Sequence, residues 1–261
     1  MSDHGRMHIP APDVADHPAP PGSVDPGETA HPHFHRRVTS FRARRSSISD
    51  RQQAVWEQRW PQLGTEARDG DAPAPRLDTE AWFGRRAPVV LEIGCGTGTS
   101  TLAMAQAEPD IDVVAVEVYR RGLAQLLSAI DRAGVTNIRL VRGDGVDVLT
   151  HMFGPDSLTG VRVFFPDPWP KARHHKRRLL QTETMALIAD RLRPGGVLHA
   201  ATDHLGYAGH IAEVGDAEPR LRRVDPAAGT LPISAARPET KYERKALAGT
   251  TVAELLWERL P

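Results

Sequence analysis

The sequence has little of what marks secreted or membrane proteins. Its 261 residues include one cysteine, Cys95, so an internal disulfide is excluded and a reducing, cytoplasmic location is expected. No apolar run approaches the ~18 residues that a membrane span requires, and the N-terminus has no hydrophobic signal-peptide core. We therefore expect a cytoplasmic protein that does not engage a membrane.

The sequence also lacks an excess of either charge. Its 33 basic and 33 acidic residues cancel, so nucleic-acid binding can only be indicated by local charge. Only four of the basic residues are lysines; the arginine bias suits phosphate contacts but fits a GC-rich genome equally well. With 40% hydrophobic residues, the chain can bury a core. The composition does not indicate whether the protein is a monomer or a homodimer.

Three regions differ in composition. Residues 1–33 are rich in Pro, His, Asp and Gly and are predicted to be disordered. His31, His33 and His35 have no Cys or carboxylate to complete a ligand set, so no metal site is expected. Residues 34–75 are predicted to hold a basic arm, a short helix Arg51–Trp60 capped by Ser49 or Asp50 and ended by Pro61, and a loop. The arm could contact a nucleic-acid backbone or merely keep a tail soluble; its arginines are Arg36, Arg37, Arg42, Arg44, Arg45 and Arg51.

Residues 76–261 form the third region, predicted to be an α/β domain. A buried strand, Val89–Ile93, runs into Gly94-Cys95-Gly96-Thr97-Gly98 and then a helix, Thr101–Ala107. Glycines at this turn allow close approach of a ligand to the backbone, and the helix start offers free N–H groups. Thr99 stands where an NAD-binding turn would place its third glycine, which argues against a dehydrogenase.

Acidic side chains follow the ends of successive predicted strands. Glu92 lies in the first strand, and Glu117 ends the second, which begins at Val113. Asp144 follows a third strand, Asn137–Val141, after a helix spanning Tyr119–Ala133. An acid at Glu117 can bind ribose hydroxyls, and one at Asp144 suits an adenine amino group. Because the carboxyl ends of parallel strands share one sheet edge, these acids and Asp167 predict a cofactor site there.

The stretch Phe164–Arg178 is the most distinctive feature of the sequence. An apolar strand runs into three prolines at alternate positions, which force a stiff loop that holds Asp167 and Trp169. A basic run follows at once, and together they predict a base-binding pocket beside a phosphate-binding surface. The alternative is a proline-rich loop leading into a solvated helix start, where basic residues are electrostatically unfavourable. The five cations are Lys171, Arg173, Lys176, Arg177 and Arg178.

The remaining chain is predicted to complete the sheet. A helix, Leu179–Leu192, is followed by a strand, Val197–Ala201, that brings Asp203 to the same edge as a substrate contact or as a helix cap. Segments 237–243 and 250–260 are predicted to be closing strands, with Trp257 in the core and the position of Tyr242 open.

Several of these stretches resemble the bacterial tRNA (guanine-N7-)-methyltransferases. The glycine motif is shared by many S-adenosylmethionine (SAM) enzymes, whereas the segment 165–178 is highly specific to this family. The likeness covers roughly residues 36–258. Ala115 and Gly145 depart from the family's usual glycine and alanine, and both replacements are small. The other matching stretches are Ala201-Thr202-Asp203-His204-Leu205-Gly206-Tyr207 and Arg237-Pro238-Glu239-Thr240-Lys241-Tyr242-Glu243-Arg244.

The resemblance implies a class I methyltransferase Rossmann-like fold, a seven-stranded mostly parallel sheet with helices on both faces. It also implies that SAM is bound and that guanine 46 of the tRNA variable loop is methylated at N7. By position, Asp167 matches the catalytic residue of the family. The cofactor-binding positions are Glu92, Gly94, Gly96, Gly98, Glu117, Asp144 and Asp167. The substrate-binding positions are Lys171, Asp203, Thr240, Lys241, Tyr242 and Glu243, and the RNA-contacting ones are Arg173, His174, His175, Lys176, Arg177 and Arg178.

The chemistry of the residues is consistent with this reaction. Guanine N7 carries an in-plane lone pair, so its methylation requires orientation rather than proton removal. A carboxylate such as Asp167 can stabilise the positive charge that develops or bind the N1/N2 edge, and Trp169 can stack on the base or pack the loop. A small-molecule methyltransferase would leave the basic run unexplained, and a non-catalytic RNA-binding protein would not need every one of these acids.

Overall fold

The computed structural model of the protein describes residues 48–225, 230–238 and 252–261. Strands and helices alternate along most of these residues. The helices are α1 Asp50–Leu63, α2 Thr79–Phe83, α3 Thr99–Ala107, α4 Arg120–Ala133, α5 Gly145–Asp147, α6 Thr182–Arg191 and α7 Leu205–Asp216. The strands are β1 Gly64–Glu66, β2 Arg68–Asp69, β3 Ala72–Pro73, β4 Val89–Ile93, β5 Asp112–Glu117, β6 Ile138–Arg142, β7 Leu158–Phe164, β8 Leu192–Thr202, β9 Leu221–Arg223 and β10 Ala253–Arg259. A π-helical turn (Val148–Met152) follows α5, and a 3₁₀ helix (Ala172–Arg177) follows β7.

One sheet organises the described residues. Its eight strands lie in the order β1-β6-β5-β4-β7-β8-β10-β9. The first six are mutually parallel, and β10 runs antiparallel to both β8 and β9. The chain proceeds outward from β4 through β5 and β6, then returns to β7 on the other side of β4. This reversal opens a crevice at the carboxyl ends of the strands, where ligands of such sheets bind.

Helices cover both faces of the sheet. On one face, α1, α3 and α4 pack against β4, β5 and β6, and on the other α6, α7 and the π-helical turn enclose the largest hydrophobic cluster. The parallel strands are buried on both faces, which is why they are read as nearly continuous apolar runs. In α4 the side chains of Leu123, Leu126, Leu127 and Ile130 are buried, and Gly134 ends the helix in the left-handed conformation. Trp257 is fully buried, as predicted.

The predicted central elements are confirmed to within a few residues, but the edges of the fold differ. The described residues form a sheet of eight strands rather than the expected seven. Two of these strands were not predicted, while Arg237 and Pro238 of a predicted closing strand lie in no strand. The first unpredicted strand is β1, which lies in the predicted loop after α1 and pairs with β6 at Gly64–Glu66. Three residues without an alternating apolar pattern leave no signal in the sequence; the Arg142–Glu66 ion pair supports this edge. The strand β9 was also not predicted.

The predicted boundaries of two helices, α1 and α6, were wrong. The helix α1 continues through Pro61 to Leu63, because a proline in the last turn removes one hydrogen bond while Leu63 gains burial. Ser49 is its N-cap, in a capping box with Gln52. The helix α6 begins at Thr182 rather than Leu179, and β8 begins at Leu192, ahead of the predicted strand start.

Some predictions lie outside the described residues. They concern the disorder predicted for residues 1–33, the histidines from His31 to His35, the arginines from Arg36 to Arg45, and residues 239–243 of the predicted closing strand and substrate site. Arg237 and Pro238 are described and belong to no strand. In the three described ranges, no helix is both long enough and apolar enough to cross a bilayer.

Candidate active site

The glycine turn between β4 and α3 adopts a conformation that favours glycine at each of its three positions. Gly94, Gly96 and Gly98 have φ angles of 77°, 57° and 73°. The first turn of α4 lies directly against this loop: a Cβ on Gly122 would lie 2.2 Å from the carbonyl oxygen of Gly96. Close contact with the backbone of α4 therefore restricts this turn to glycine-like conformations and leaves little room for side chains.

Glu92 lies buried beneath the glycine turn. Its Oε1 accepts a hydrogen bond from Thr101 Oγ1 at 2.9 Å, while its Oε2 is buried with no partner among the described residues. Burial raises the pKa of Glu92, and Arg162 and the Thr101 hydrogen bond oppose that effect. An unpartnered buried carboxylate oxygen is costly, so it fits a position that donors of a ligand or water complete.

Glu117, at the end of β5, ties two loops together. Its Oε2 accepts from the Gly96 N–H at 3.0 Å, and its Oε1 accepts from the N–H groups of Val118 at 2.7 Å and Tyr119 at 3.0 Å. Burial raises the pKa of Glu117 although these three bonds lower it, and the charge of Asp167 raises it further. The predicted cofactor acid and the predicted catalytic acid are thus electrostatic neighbours.

Asp144 caps α5 at the end of β6, where its Oδ1 accepts from the Val146 N–H at 2.8 Å. A cleft of about 210 Å³ opens beside it, bordered by loops that follow β5 and β6 and by the segment after β1. Asp144 therefore borders a cleft that could receive part of a ligand. The cleft is lined by Glu66, Ala67, Arg68, Val118, Arg142, Gly143, Asp144 and Asp147.

The loop that carries Asp167 is strained on both sides of that residue. Phe165 and Trp169 have φ angles of 50° and 44°, although neither is glycine. Each such conformation costs about 1–3 kcal/mol and persists only where neighbouring contacts enforce it. The Phe165 N–H donates to the Ala201 carbonyl at 2.8 Å, and Asp167 itself is exposed. The backbone therefore directs a free carboxylate outward at the sheet edge.

The basic run does not form one uniform surface. Lys171, Arg173 and Lys176 are exposed, and the guanidinium of Arg177 lies 5.1 Å from the centre of the Trp169 ring. His174 meets the same ring edge-on at 5.8 Å, and His175 is half-buried. The Trp169 ring therefore packs against a cation and an imidazole of its own loop, and its stacking on the base stays a prediction.

Arg178 lies apart from the rest of the run. It is 3% exposed, and its Nε donates to the carbonyl of Pro168 at 2.9 Å. The predicted contact between this side chain and RNA conflicts with its burial, because a side chain enclosed by protein cannot reach a phosphate without rearrangement.

Asp203 follows β8 and is half-buried at the same edge. The alternative prediction, that Asp203 caps α7, is wrong because His204 is the N-cap and its Nδ1 accepts from the Tyr207 N–H at 3.1 Å. The predicted role of Asp203 as a substrate contact stays a prediction.

A cluster of side chains next to the loop, in which the side chains of Arg237 and His199 are buried and Glu254 is exposed, was not predicted as part of the site. The guanidinium of Arg237 lies 4.9 Å from the centre of the Phe165 ring and pairs with Glu254 at 3.0 Å. Glu254 also bonds His199, whose ring meets Phe164 edge-on at 4.9 Å. The hydrogen bond with His199 is the main reason that the pKa of Glu254 is lowered. These residues are far apart in sequence, so only the fold brings them together.

The sheet order and the row of strand-end acids around a glycine turn define a class I methyltransferase. A family model described as putative methyltransferase matches residues 86–254. Curated relatives named tRNA (guanine-N(7)-)-methyltransferase match nearly the whole chain. That of Mycolicibacterium vanbaalenii is 80% identical over 99% of both chains, and that of Mycolicibacterium gilvum is 77% identical over 100% of both. That of Mycobacterium avium is 62% identical over 99% of this chain and 100% of its own. The protein belongs to the tRNA (guanine-N7-)-methyltransferase family.

Proposed function

We propose that this protein transfers a methyl group from SAM to N7 of guanine 46 in the variable loop of tRNA, in the cytoplasm. The observation that carries the proposal is the placement of Asp167. Its carboxylate is exposed on a strained loop, close enough to Glu117 to raise the pKa of that residue, and exposed cations follow it along the chain. A methyl donor bound near Glu117 and a base held by the basic run would therefore meet at Asp167.

The residues present fit SAM. Glu117, whose Oε1 already accepts two backbone hydrogen bonds, would accept one from a ribose hydroxyl at its Oε2, and Asp144 would accept one from the adenine amino group in the adjoining cleft. Glu92, with its unpartnered Oε2, and the glycine-turn backbone would hold the amino-acid end. SAM supplies a sulfonium methyl group, which is electrophilic without further activation. The protein then needs only to orient the two reactants.

Asp167 would act on the guanine side of the reaction. Because N7 already carries a lone pair, no base is required there, and the purine becomes positively charged as the bond to carbon forms. A carboxylate held in advance beside that charge stabilises it more than water would. Asp167 could also accept hydrogen bonds from the N1/N2 edge of guanine, which would select guanine over adenine.

The RNA backbone would be bound by cations beside this loop. Lys171, Arg173 and Lys176 are exposed and close in sequence to Asp167. Asp203 and the segment Thr240–Glu243 are proposed to contact the target nucleotide. A small-molecule methyltransferase would have no use for three exposed cations here, so RNA is the better substrate.

The test is direct. The purified protein is incubated with SAM labelled on its methyl group and with an unmodified tRNA transcript, and digested nucleosides are separated. We expect label in 7-methylguanosine, and none from a matched transcript in which guanine 46 is replaced by adenine. Label in 7-methylguanosine from both transcripts would contradict the position, and none from either, with a protein that binds SAM, would contradict the reaction.

A further inference from the structure

We infer that Arg178 is a positioning residue for Asp167 rather than a contact to RNA, an inference that rests on the proposed function. Its place in the sequence, at the end of a basic run, groups it with the exposed cations. Its environment separates it from them: only 3% of Arg178 is exposed, whereas Arg173 and Lys176 are open to solvent. A phosphate cannot reach a guanidinium that protein encloses.

The first contact of Arg178 is with the Asp167 loop itself. Its Nε donates to the Pro168 carbonyl at 2.9 Å. Pro168 directly follows Asp167 and directly precedes Trp169, whose backbone has a positive φ. A charge-assisted hydrogen bond at that carbonyl restrains the peptide group between the catalytic acid and the strained residue. Strained conformations persist only when their surroundings enforce them, and Arg178 supplies such a contact.

The second contact joins the loop to the neighbouring strand end. The guanidinium of Arg178 lies 4.8 Å from the centre of the Tyr207 ring, and Tyr207 is fully buried in α7. Tyr207 Oη accepts from the Leu180 N–H at 3.1 Å, and the Tyr207 N–H donates to His204. Arg178 thus links the loop after β7, with Asp167, to the segment after β8, with Asp203.

Arginine is suited to this position and lysine is not. A planar guanidinium can lie over an aromatic ring while its Nε donates sideways, whereas an ammonium group has no Nε and no flat face. Lysine would keep the positive charge but lose this geometry. A residue that bound RNA through charge alone would tolerate that change.

The test therefore compares Arg178→Lys with Lys176→Gln. For Arg178→Lys we expect kcat at saturating tRNA to fall by about 10-fold or more, because a looser Asp167 no longer meets the base in a reactive geometry. SAM affinity should stay near that of the parent protein, and the thermal midpoint should fall only by what the loss of one charge-assisted hydrogen bond costs, with the variant still folded at the assay temperature. The slope of log tRNA affinity against log salt should be unchanged. In Lys176→Gln that slope should become shallower by about 0.7–0.9, the loss of one phosphate contact.

A footprint on the unmutated protein provides a second measurement that does not depend on folding of a variant. Phenylglyoxal modifies exposed arginines, and peptide mass spectrometry locates them. Arg173 should react in the free protein and be protected by tRNA, whereas Arg178 should stay unreactive in both states. An Arg178 that reacts and is then protected by tRNA would overturn the inference, as would normal kcat in Arg178→Lys. If the parent protein formed no 7-methylguanosine, the proposed function would fail, and the footprint would still decide whether Arg178 contacts RNA.

Discussion

The two sides of the candidate active site are built differently. On the proposed cofactor side, Glu117 and Asp144 are held by backbone N–H groups within a few residues or across one adjacent loop. On the proposed guanine side, the loop that carries Asp167 is contacted by Arg178 at Pro168 and by Arg237 at Phe165. One side depends on main-chain geometry and the other on buried side chains from distant parts of the chain. Substitutions should therefore affect binding and catalysis separately.

The largest effect that would sharpen this comparison is expected on the guanine side. Asp167→Ala should lower kcat by about 10²–10³-fold, the typical cost of losing one preorganised charge-stabilising group. SAM affinity should stay within an order of magnitude, because Asp167 is a neighbour of Glu117 rather than one of its hydrogen-bond partners. Single-turnover kinetics and calorimetry measure the two quantities. Full activity in this variant would remove Asp167 from the mechanism.

The opposite pattern is expected for Glu117→Gln. Hydrogen bonds to charged groups contribute about 1.5–3 kcal/mol, so SAM affinity should fall by about 10–100-fold. The raised pKa of Glu117 adds a pH dependence. Since the folded pKa lies above the usual value, the folded protein takes up a proton before the unfolded chain does as pH falls. Protonation removes the acceptor, so SAM affinity should weaken as pH is lowered through that pKa.

Calorimetric titrations at several pH values give the measurement. Glu117→Gln is the control: the part of the pH dependence that belongs to Glu117 should be lost, leaving only the part due to Glu92, whose pKa burial also raises. The same raised pKa implies that the contribution of Glu117 to the free energy of unfolding falls as pH rises through the window between the unfolded and folded pKa. A wild-type SAM affinity that is flat across mildly acidic pH would contradict the role of the ionised carboxylate.

The smallest expected effect concerns the backbone packing of the cofactor side. Gly122→Ala places a methyl group 2.2 Å from the Gly96 carbonyl oxygen, which as a backbone atom cannot rotate away. Overpacking of this kind costs about 1–3 kcal/mol. Thermal unfolding and SAM binding should both deteriorate. Gly209→Ala in α7 is the matched control, because a Cβ there meets no atom within 4 Å, and its stability should be unchanged or slightly higher. Equal thermal unfolding midpoints for Gly122→Ala and Gly209→Ala would show that the contact between Gly122 and the Gly96 carbonyl oxygen is not tight.

The contrast between local main-chain contacts and contacts of distant side chains also explains what could be predicted from the sequence. The strands β4, β5 and β6 and the acids that follow them depend on local apolar runs and glycine positions, so their placement was predicted correctly. The burial of Arg178 was not, because it requires Tyr207, which lies 29 positions further along the chain. The contact of Arg237 with Phe165 could not be predicted for the same reason, since the two residues are far apart in the chain. Short strands such as β1 could not be predicted, because three residues are too few to show an alternating apolar pattern. The roles of Thr240–Glu243 stay predictions.

The three hydrogen bonds accepted by Glu117 also bear on how freely this position can change over evolution. One carboxylate spans from Gly96, after β4, to Val118 and Tyr119, after β5. Aspartate is one methylene shorter and could not reach both loops from the same backbone position. Glutamine would present an N–H group to at least one backbone N–H. Any replacement here changes the spacing of two loops as well as a ligand contact, so we expect drift to be far slower at Glu117 than at exposed cations such as Lys176.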